Sequence, residues 1–402
     1  MRLCSSGGVA EFHDQHADWS LAECGGEVKS LVKSTRPFLF CESLTVVADS
    51  HGGCEAQRGE RYRSCLWMHH VVHRFVCTLE VGFMEPNFPI VEANIVAATE
   101  TIEVKISANK RCMRGKSASF VHHMEFDLSG TVLEGRFRPG QAIGVLPPGV
   151  DELGRPEVVR LYSISSPSWG EDGAGKIVST TCKRMIDEFS PQHAEQETPG
   201  NGLFIGTCSN YLCSRAAGDS VFVSGPAGKK FLLPLEAANH NYVFLATGTG
   251  IAPFRGMVKE LFYGPLGPTS NQVHLVMGVP YASDLLYDDF FTEAAARFDN
   301  FHYHSVLSRE GGDEGRGEGY VHDYLARTPD LYDVVLTDPK TMLYLCGLAG
   351  MQTGVYRFLV ERGLADGYLR VPDKVAAMNP DDWTPKETRK LRPLARCQLE
   401  VY

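Results

Sequence analysis

Residues 242–255 read YVFLATGTGIAPFR, and this stretch constrains the fold more than any other. An apolar, aromatic run leads into a Gly-rich turn and then into a helical apolar pattern. Gly248 and Gly250 let the backbone approach a ligand closely. The helix N-terminus offers free N–H groups and the positive end of its dipole. A pyrophosphate suits that place, and a plain tight strand–helix turn is the alternative. The spacing is G-x-G-x-x-P, with Pro253 in the first helical turn, where its missing N–H is harmless. The next strand, HLVMGVPY, ends without the acid that holds a 2′-hydroxyl in an NAD-type site. A 2′-phosphate is therefore admissible, and it needs donors. Ser308 and Arg309 follow a strand at the carboxyl edge of the expected sheet, and Tyr320 adds a ring and a hydroxyl. Arg309 can pair with phosphate and stack on adenine. Its alternative is a solvated surface residue.

The rest of the chain falls into three stretches. Beyond residue 240, the runs YVFLA, QVHLVMGV, FHYHSVL and MLYLCGL alternate with helical segments PFRGMVKELFY, DLLYDDFFTEAAARF and MQTGVYRFLVERG. Repeated β–α units imply a parallel sheet with helices on both faces. Between 93 and 234, short β-rich runs such as IEVKIS, FVHHMEF, QAIGVLP and KIVSTTC are separated by Gly and Pro turns. That spacing predicts an antiparallel barrel or sandwich. Residues 1–92 show little sustained periodicity, and only PFLFCESLTVVA and CLWMHHVVHRFVCTLEVGF offer short strands or helices. We read 1–92 as a weakly ordered extension, with Met84 nearer the functional start, or alternatively as a small interaction module.

A net charge of −10 argues against general nucleic-acid binding, though not against a local basic patch. No apolar run reaches the roughly 20 residues of a membrane helix. The first residues have no apolar core and resemble neither a signal nor a transit peptide. Six of the twelve cysteines (Cys4, Cys24, Cys41, Cys54, Cys65 and Cys77) lie in the first 77 residues without C-x-x-C pairing. Together with the lone cluster His69, His70 and His73, they suggest scattered thiols and incidental histidines rather than a metal site.

At RLYSISS (160–166) the chain resembles the plant-type ferredoxin–NADP reductase family. FRPGQAIGVLPPG, RLYSISS, GTCSNYLC, GPAGKKFLLP, GTGTGIAPFR, the strand ending GVP, SRE, CGLAGM and the final EVY occur in the family's order over about 93–402. The resemblance implies an antiparallel FAD-binding β-barrel over 93–234. A parallel-sheet, Rossmann-like NADP-binding domain follows over 235–402. Arg160 would hold the FAD pyrophosphate, with Leu161 beside it. Tyr162 would stack on the isoalloxazine, and Ser163 would lie near its reactive nitrogen. Thr207, Cys208 and Ser209 match the FAD phosphate turn. Thr181, Cys182 and Lys183 match a strand whose lysine reaches toward NADP phosphate. Thr247, Gly248, Thr249 and Gly250 line the dinucleotide loop, and Val279 and Pro280 its path. Cys346, Gly347 and Leu348 match the segment beside the nicotinamide. Tyr402 would cover the second flavin face, with Glu400 at the ring edge in a proton path. Three departures stand out. Asp187 replaces the aromatic residue that stacks on the FAD adenine. Glu318 replaces a basic residue near the phosphate site, with Arg316 as a candidate substitute. The segment VPDKVAAMNPDDWTPKETRKLRPLARC is longer than the family's tail and offers surface for a partner.

The implied activity is a ferredoxin–NADP(+) reductase. A carrier delivers single electrons to FAD, which passes a hydride to NADP(H). The carrier would be an acidic ferredoxin or flavodoxin, which requires a basic face. KISANKRCMRGK offers Lys105, Lys110, Arg111, Arg114 and Lys116, with Lys229 and Lys230 nearby, and a solvated loop is the alternative. DELGRPEVV keeps only Arg155. Two other readings share the motifs: the reductase component of an oxygenase, and a non-catalytic flavin-binding scaffold. The expected location is the cytoplasm, or the plastid stroma in a eukaryote.

Overall fold

The computed structural model describes residues 85–402 apart from 114, 116, 118, 152, 191–199, 201 and 312–315; N-terminal to these it describes only the backbone of five strands. Those strands belong to a separate compact unit, residues 1–82. They are β1 (Ala10–Asp14), β2 (Ala17–Cys24), β3 (Glu27–Lys33), β4 (Thr45–Ala48) and β5 (Cys54–Gln57). β1–β2–β3 form an antiparallel sheet and β4–β5 a hairpin. Strands of 4–8 residues are too short for their alternation to stand out among Gly and charged residues, so only β4 coincides with an expected run. The other expected run, 65–83, lies outside the described residues, as do His69, His70, His73 and Met84.

The second unit, 83–402, is built on two six-stranded sheets. The first comprises β6 (Ile102–Arg111), β7 (Val121–Asp127), β8 (Ala142–Leu146), β9 (Arg160–Ser163), β10 (Ile177–Lys183) and, after an excursion, β13 (Ser220–Ala227). Its order is β10-β7-β6-β13-β8-β9. An antiparallel bridge between Ile164 and Thr180 joins the two end strands, so the sheet closes as a barrel and removes its own edges. Val104, Ile106, Met124, Phe126, Val145, Val178 and Val221 fill it. β6 runs beyond the expected IEVKIS stretch to Arg111, so Lys110 and Arg111 lie on a strand and not in a solvated loop. The excursion holds the hairpin β11 (Ile186–Glu188) and β12 (Leu203–Ile205), then the short helix α1 (Thr207–Cys213).

The second sheet is parallel, with the order β17-β16-β15-β14-β18-β21. Its strands are β14 (Asn241–Thr247), β15 (Val273–Val279), β16 (Phe301–Leu307), β17 (Gly317–Glu318), β18 (Thr341–Gly347) and β21 (Cys397–Val401). Every residue of β15 and β18 is buried. Both faces are covered, which is why these strands read as continuous apolar runs. α2 (Ile251–Tyr263) and α3 (Asp288–Arg297) pack on one face. α4 (Val321–Arg327), α5 (Pro329–Thr337) and α6 (Ala349–Glu361) pack on the other. The pattern missed α4 and α5, because they are short and Pro329 divides them. α3 begins later than expected, since Tyr287 adopts a left-handed conformation (φ 56°) just before it. The long tail is not free surface. Val375, Trp383 and Leu391 are buried in the second core, and a short pair, β19 (Leu369–Arg370) with β20 (Arg392–Pro393), returns the chain to β21.

One joint holds barrel and parallel sheet together. Arg255 of α2 donates to the barrel-side carbonyl of Ser165 at 3.0 Å and to both oxygens of Glu171. Lys259, one turn on, donates to the same carboxylate at 2.7 Å. A side chain on Gly256 would collide with the Ser166 carbonyl, so only glycine lets the helix lie this close. Tyr287 completes the joint, its hydroxyl bonding Thr181 at 2.6 Å and His123 at 3.0 Å. Burial opposes charge on Glu171, yet Arg255 and Lys259 hold its carboxyl well below the usual range. Its stabilisation is therefore present above the ordinary glutamate range and fades as pH falls below it. Arg255→Ala leaves the buried carboxylate with Lys259 as its remaining cation and is expected to cost about 3 kcal/mol in urea unfolding, the low end for a broken buried pair. Arg255→Met with Glu171→Leu and Lys259→Met should recover most of that; a loss of under about 1 kcal/mol in the single variant would contradict the assignment.

Candidate active site

In an open parallel sheet, ligands bind beyond the carboxyl ends of the strands where the strand order reverses. Here the reversal lies between β14 and β18. β14 ends at Thr247 and enters a single 3-10 turn, Gly248–Gly250, before α2. β18 ends at Cys346 and Gly347. The two ends pack backbone against backbone. A side chain on Gly250 would overlap the Cys346 carbonyl, and one on Gly347 (φ 135°) would overlap the Thr247 hydroxyl. Thr247 Oγ1 accepts the Leu348 amide at 2.8 Å, which fixes the turn after β18. Leu348 is left exposed, while Val279 is buried at the end of β15 and Pro280 follows it, half-buried.

The C-terminal strand completes the site. β21 pairs parallel to β18, placing Glu400 opposite Cys346 and Val401 opposite Gly347. Tyr402 is pinned at both backbone groups: its N–H donates to Gly347 O at 3.0 Å, and its carbonyl accepts from Ala349 N at 3.3 Å. Its phenol lies 2.6 Å from Thr249 Oγ1, over the Gly-rich turn, and the residue is 61% exposed. Ser163, at the end of barrel strand β9, donates to Glu400 Oε1 at 3.5 Å. Barrel and parallel sheet therefore meet at Ser163 and Glu400. Burial pushes the Glu400 carboxyl up to about 7, against the opposing Ser163 hydrogen bond. Its Oε2 is buried with no hydrogen-bond partner. Cys346 is fully buried, and burial together with the Glu400 charge holds it as a thiol.

The remaining expected residues spread outward from this point. Tyr162 is half-buried and Leu161 is 60% exposed on β9. Arg160 is exposed, donating to Val158 O at 2.6 Å with Glu157 at 3.5 Å. Thr207 is exposed at the start of α1. Cys208 and Ser209 are buried; Ser209 Oγ accepts the Met185 amide at 3.1 Å. Thr181 and Cys182 are buried, Thr181 being engaged with Tyr287, while Lys183 is exposed at the strand end. Ser308 and Arg309 continue from β16 along the end of β15, their amides bonded to Val279 O and Pro280 O at 2.9 and 3.0 Å. Arg309 is exposed, and so is Tyr320, whose ring stacks on His322 at 5.7 Å. Arg316 does not stand free for a phosphate, because it lies 3.9 Å from Asp288. Of the expected basic face, Lys110 is paired with Glu125, Arg111 sits over Phe120, and Lys105 donates to Ser220. Lys229 and Lys230 are exposed, whereas Arg114 and Lys116 lie outside the described residues. Arg155 is paired with Asp151 at 2.7 Å.

Sequence reasoning missed Arg255, Glu171 and Tyr287. Arg255 stood in the quoted APFR stretch, but its partner lies 84 residues away, and nothing local announced Tyr287. A cavity of about 520 Å³ opens at this joint, lined in part by Lys110, Cys112, His123, Arg255 and Tyr287. It does not include Ser163, Glu400 or Tyr402 and belongs to the joint. Among the described residues, no helix is long and apolar enough to cross a membrane.

Comparison with known proteins agrees with this geometry. An oxidoreductase NAD-binding domain model matches residues 244–357. The chain is 33% identical over 301 residues to a ferredoxin–NADP reductase of Synechocystis sp., covering 74% of this chain and 67% of the relative. It is 32% identical over 352 residues to the chloroplastic root isozyme 2 of Arabidopsis thaliana, covering 86% of each. In fold it is similar to the ferredoxin–NADP+ reductase of Plasmodium falciparum solved with 2′P-AMP, with TM-score 0.56 and 21% identity over 78% of this chain and 100% of that one. A closed antiparallel barrel beside a parallel sheet, with a Ser–Glu contact where they meet, thus accompanies extensive sequence identity, and the chain belongs to the ferredoxin–NADP reductase family.

Proposed function

We propose that this chain moves electrons between ferredoxin and NADP(H) through a bound FAD at the meeting of Ser163, Glu400 and Tyr402. The observation that carries the reading is the Ser163–Glu400 approach of 3.5 Å at the strand-order reversal, beside a Glu400 oxygen that has no partner. A buried carboxylate oxygen without a partner costs free energy unless something fills the place. β9, which carries Ser163 to this point, also bears the half-buried ring of Tyr162. Division of the described chain into a barrel domain (93–234) and a nucleotide-binding domain (235–402) follows from the same reading.

When bound, FAD supplies the exchange of single electrons with a carrier and of a hydride with the nicotinamide. The chain's own residues position and protect. Arg160 is suited to the diphosphate, and Tyr162 to one face of the ring. Tyr402 would cover the other face, exclude water and yield to the nicotinamide. Ser308, Arg309 and Tyr320 are suited to a 2′-phosphate; Glu318 weakens that preference. Glu400, whose carboxyl burial raises to about 7, would hold and move a proton at the ring edge. The relatives reported above are all named ferredoxin–NADP reductases, which favours this reading over an oxygenase component. A flavodoxin serves as an alternative carrier of the same acidic class. We place the protein in the cytoplasm or, as for the chloroplastic relative, in a plastid.

The purified chain is expected to be yellow, and its flavin to be bleached faster by NADPH than by NADH; a colourless protein that takes up no added FAD would overturn the function. Removal of Tyr402 should lower KM for both nucleotides and reduce the preference for NADPH, with steady-state kinetics as the check; unchanged kinetics would refute the covering role. Glu400→Gln should erase a limb near pH 7 from the rate profile. The fold prefers the protonated carboxyl from its ordinary range up to about 7, so charging it costs stability above that range. The same variant should therefore raise Tm at pH 8.5 and leave it unchanged at pH 4.

A further inference from the structure

The tail that leads to β21 spends its apolar residues on the core, and its cations face water. Residues 386–396 hold five Lys or Arg against one acid, Glu387, in a chain of net charge −10. Glu387 is already taken, by Lys390 at 3.5 Å and by the Thr384 amide at 3.3 Å. Arg396 is taken as well, donating to Asp338 O at 3.0 Å and lying over the Tyr368 ring. Arg370, Arg389 and Arg392 remain. All three are exposed, and none has an ion-pair or side-chain hydrogen-bond partner among the described residues. Other surface arginines behave differently: Arg136 is paired with Glu92, Arg155 with Asp151 and Arg362 with Asp333.

The fold sets two of these arginines face to face. In the β19–β20 pair, Arg370 stands directly opposite Arg392. Opposed residues of an antiparallel pair have Cβ atoms about 4.5–5.5 Å apart, and like charges so placed are destabilising. A carboxylate at either position would remove that cost, and so would an anion arriving from outside. Arg389 precedes Arg392 by three residues, within about 10 Å along the chain. Guanidinium forks match carboxylates two bonds at a time. The place of the patch is equally defined. Leu394 N donates to Tyr368 O at 2.8 Å, and Arg396 reaches the carbonyl of Thr341, the first residue of β18, at 3.3 Å. The pair therefore sits at the amino end of β18, whereas the nucleotide turn and Tyr402 lie at the carboxyl end. An electron carrier must approach the carboxyl end, so this patch is free for a different contact. No large apolar side chain of 369–396 is exposed, which leaves nothing to insert into a lipid surface. Charge complementarity favours a polar, carboxylate-rich polypeptide.

We infer that Arg370, Arg389 and Arg392 form a docking surface for an acidic segment of a partner protein, at the end of the parallel sheet away from the nucleotide turn. The test uses the full-length protein and a fluorescein-labelled decaglutamate, followed by fluorescence anisotropy at low ionic strength, where surface charge is least screened. The parent should bind this peptide. Arg370→Glu with Arg389→Glu and Arg392→Glu should weaken binding on the order of tenfold, since each exposed pair contributes only a few-fold. The same triple variant should keep the parent's NADPH–ferricyanide turnover. Arg392→Glu alone turns the repelling pair into an attracting one. It should raise Tm by about 1–2 °C while weakening the peptide. Equal binding by parent and triple variant, or lost turnover in the triple variant, would overturn the inference. So would a lowered Tm in Arg392→Glu, or a parent that binds phosphatidylserine vesicles and not the peptide.

Discussion

Helix α2 does two things at once, and the Arg255–Glu171 ion pair is what makes both possible. Its first residue follows the Gly-rich turn, and its next turn grips the barrel through Arg255, Gly256 and Lys259. The turn at the sheet's reversal is therefore held in register with the barrel segment just after β9. A charged pair withdrawn from water is favourable only when its geometry is complete. Here the geometry is close: two guanidinium–carboxylate bonds, a third donation to a backbone carbonyl, and a lysine on the same carboxylate. The 3.5 Å approach of Ser163 to Glu400, between residues 237 apart, depends on that clamp.

The C-terminal strand is the second half of the construction. Because β21 adds in parallel to the edge of the sheet, it ends at the same side as the Gly-rich turn, where ligands bind. An antiparallel edge strand would have carried the chain end to the opposite side. Tyr402 is fixed at its N–H and carbonyl, so its side-chain torsions are the route by which the ring can leave the site. The long tail before β21 contributes to this indirectly. Trp383 and Leu391 are buried in the core beneath α6, which anchors the segment that aims the final strand. A feature that the residue pattern offered as partner-facing surface is thereby largely structural.

Electrostatics at the site follows from the same packing. Glu400 lies where burial opposes its charge and only a weak hydroxyl contact supports it, so its carboxyl rises to about 7. Glu171 is also screened from water but meets two cations, and it moves the other way. Two carboxylates in one chain are thus separated in behaviour by their surroundings alone. The first is available for proton chemistry, and the second stays ionised as a fastener.

The sequence by itself determined the order of the two sheets, the Gly-rich turn and the residues gathered around it. Each of these is written locally: apolar runs of strand length, glycines where backbones touch, and motifs in a fixed succession. Thr247, Gly250, Cys346 and Glu400, which the structure brings together, were legible in that way. Only the tertiary structure decided what the partners are. Arg255 with Glu171, Tyr287 with Thr181, Arg316 with Asp288 and Phe204 opposite Asp187 join residues far apart in the chain or across an unforeseen hairpin. Local pattern carries propensity and periodicity. Which distant charge neutralises a buried one, and which ring stands beside an acid, is set when the barrel closes and α2 docks against it.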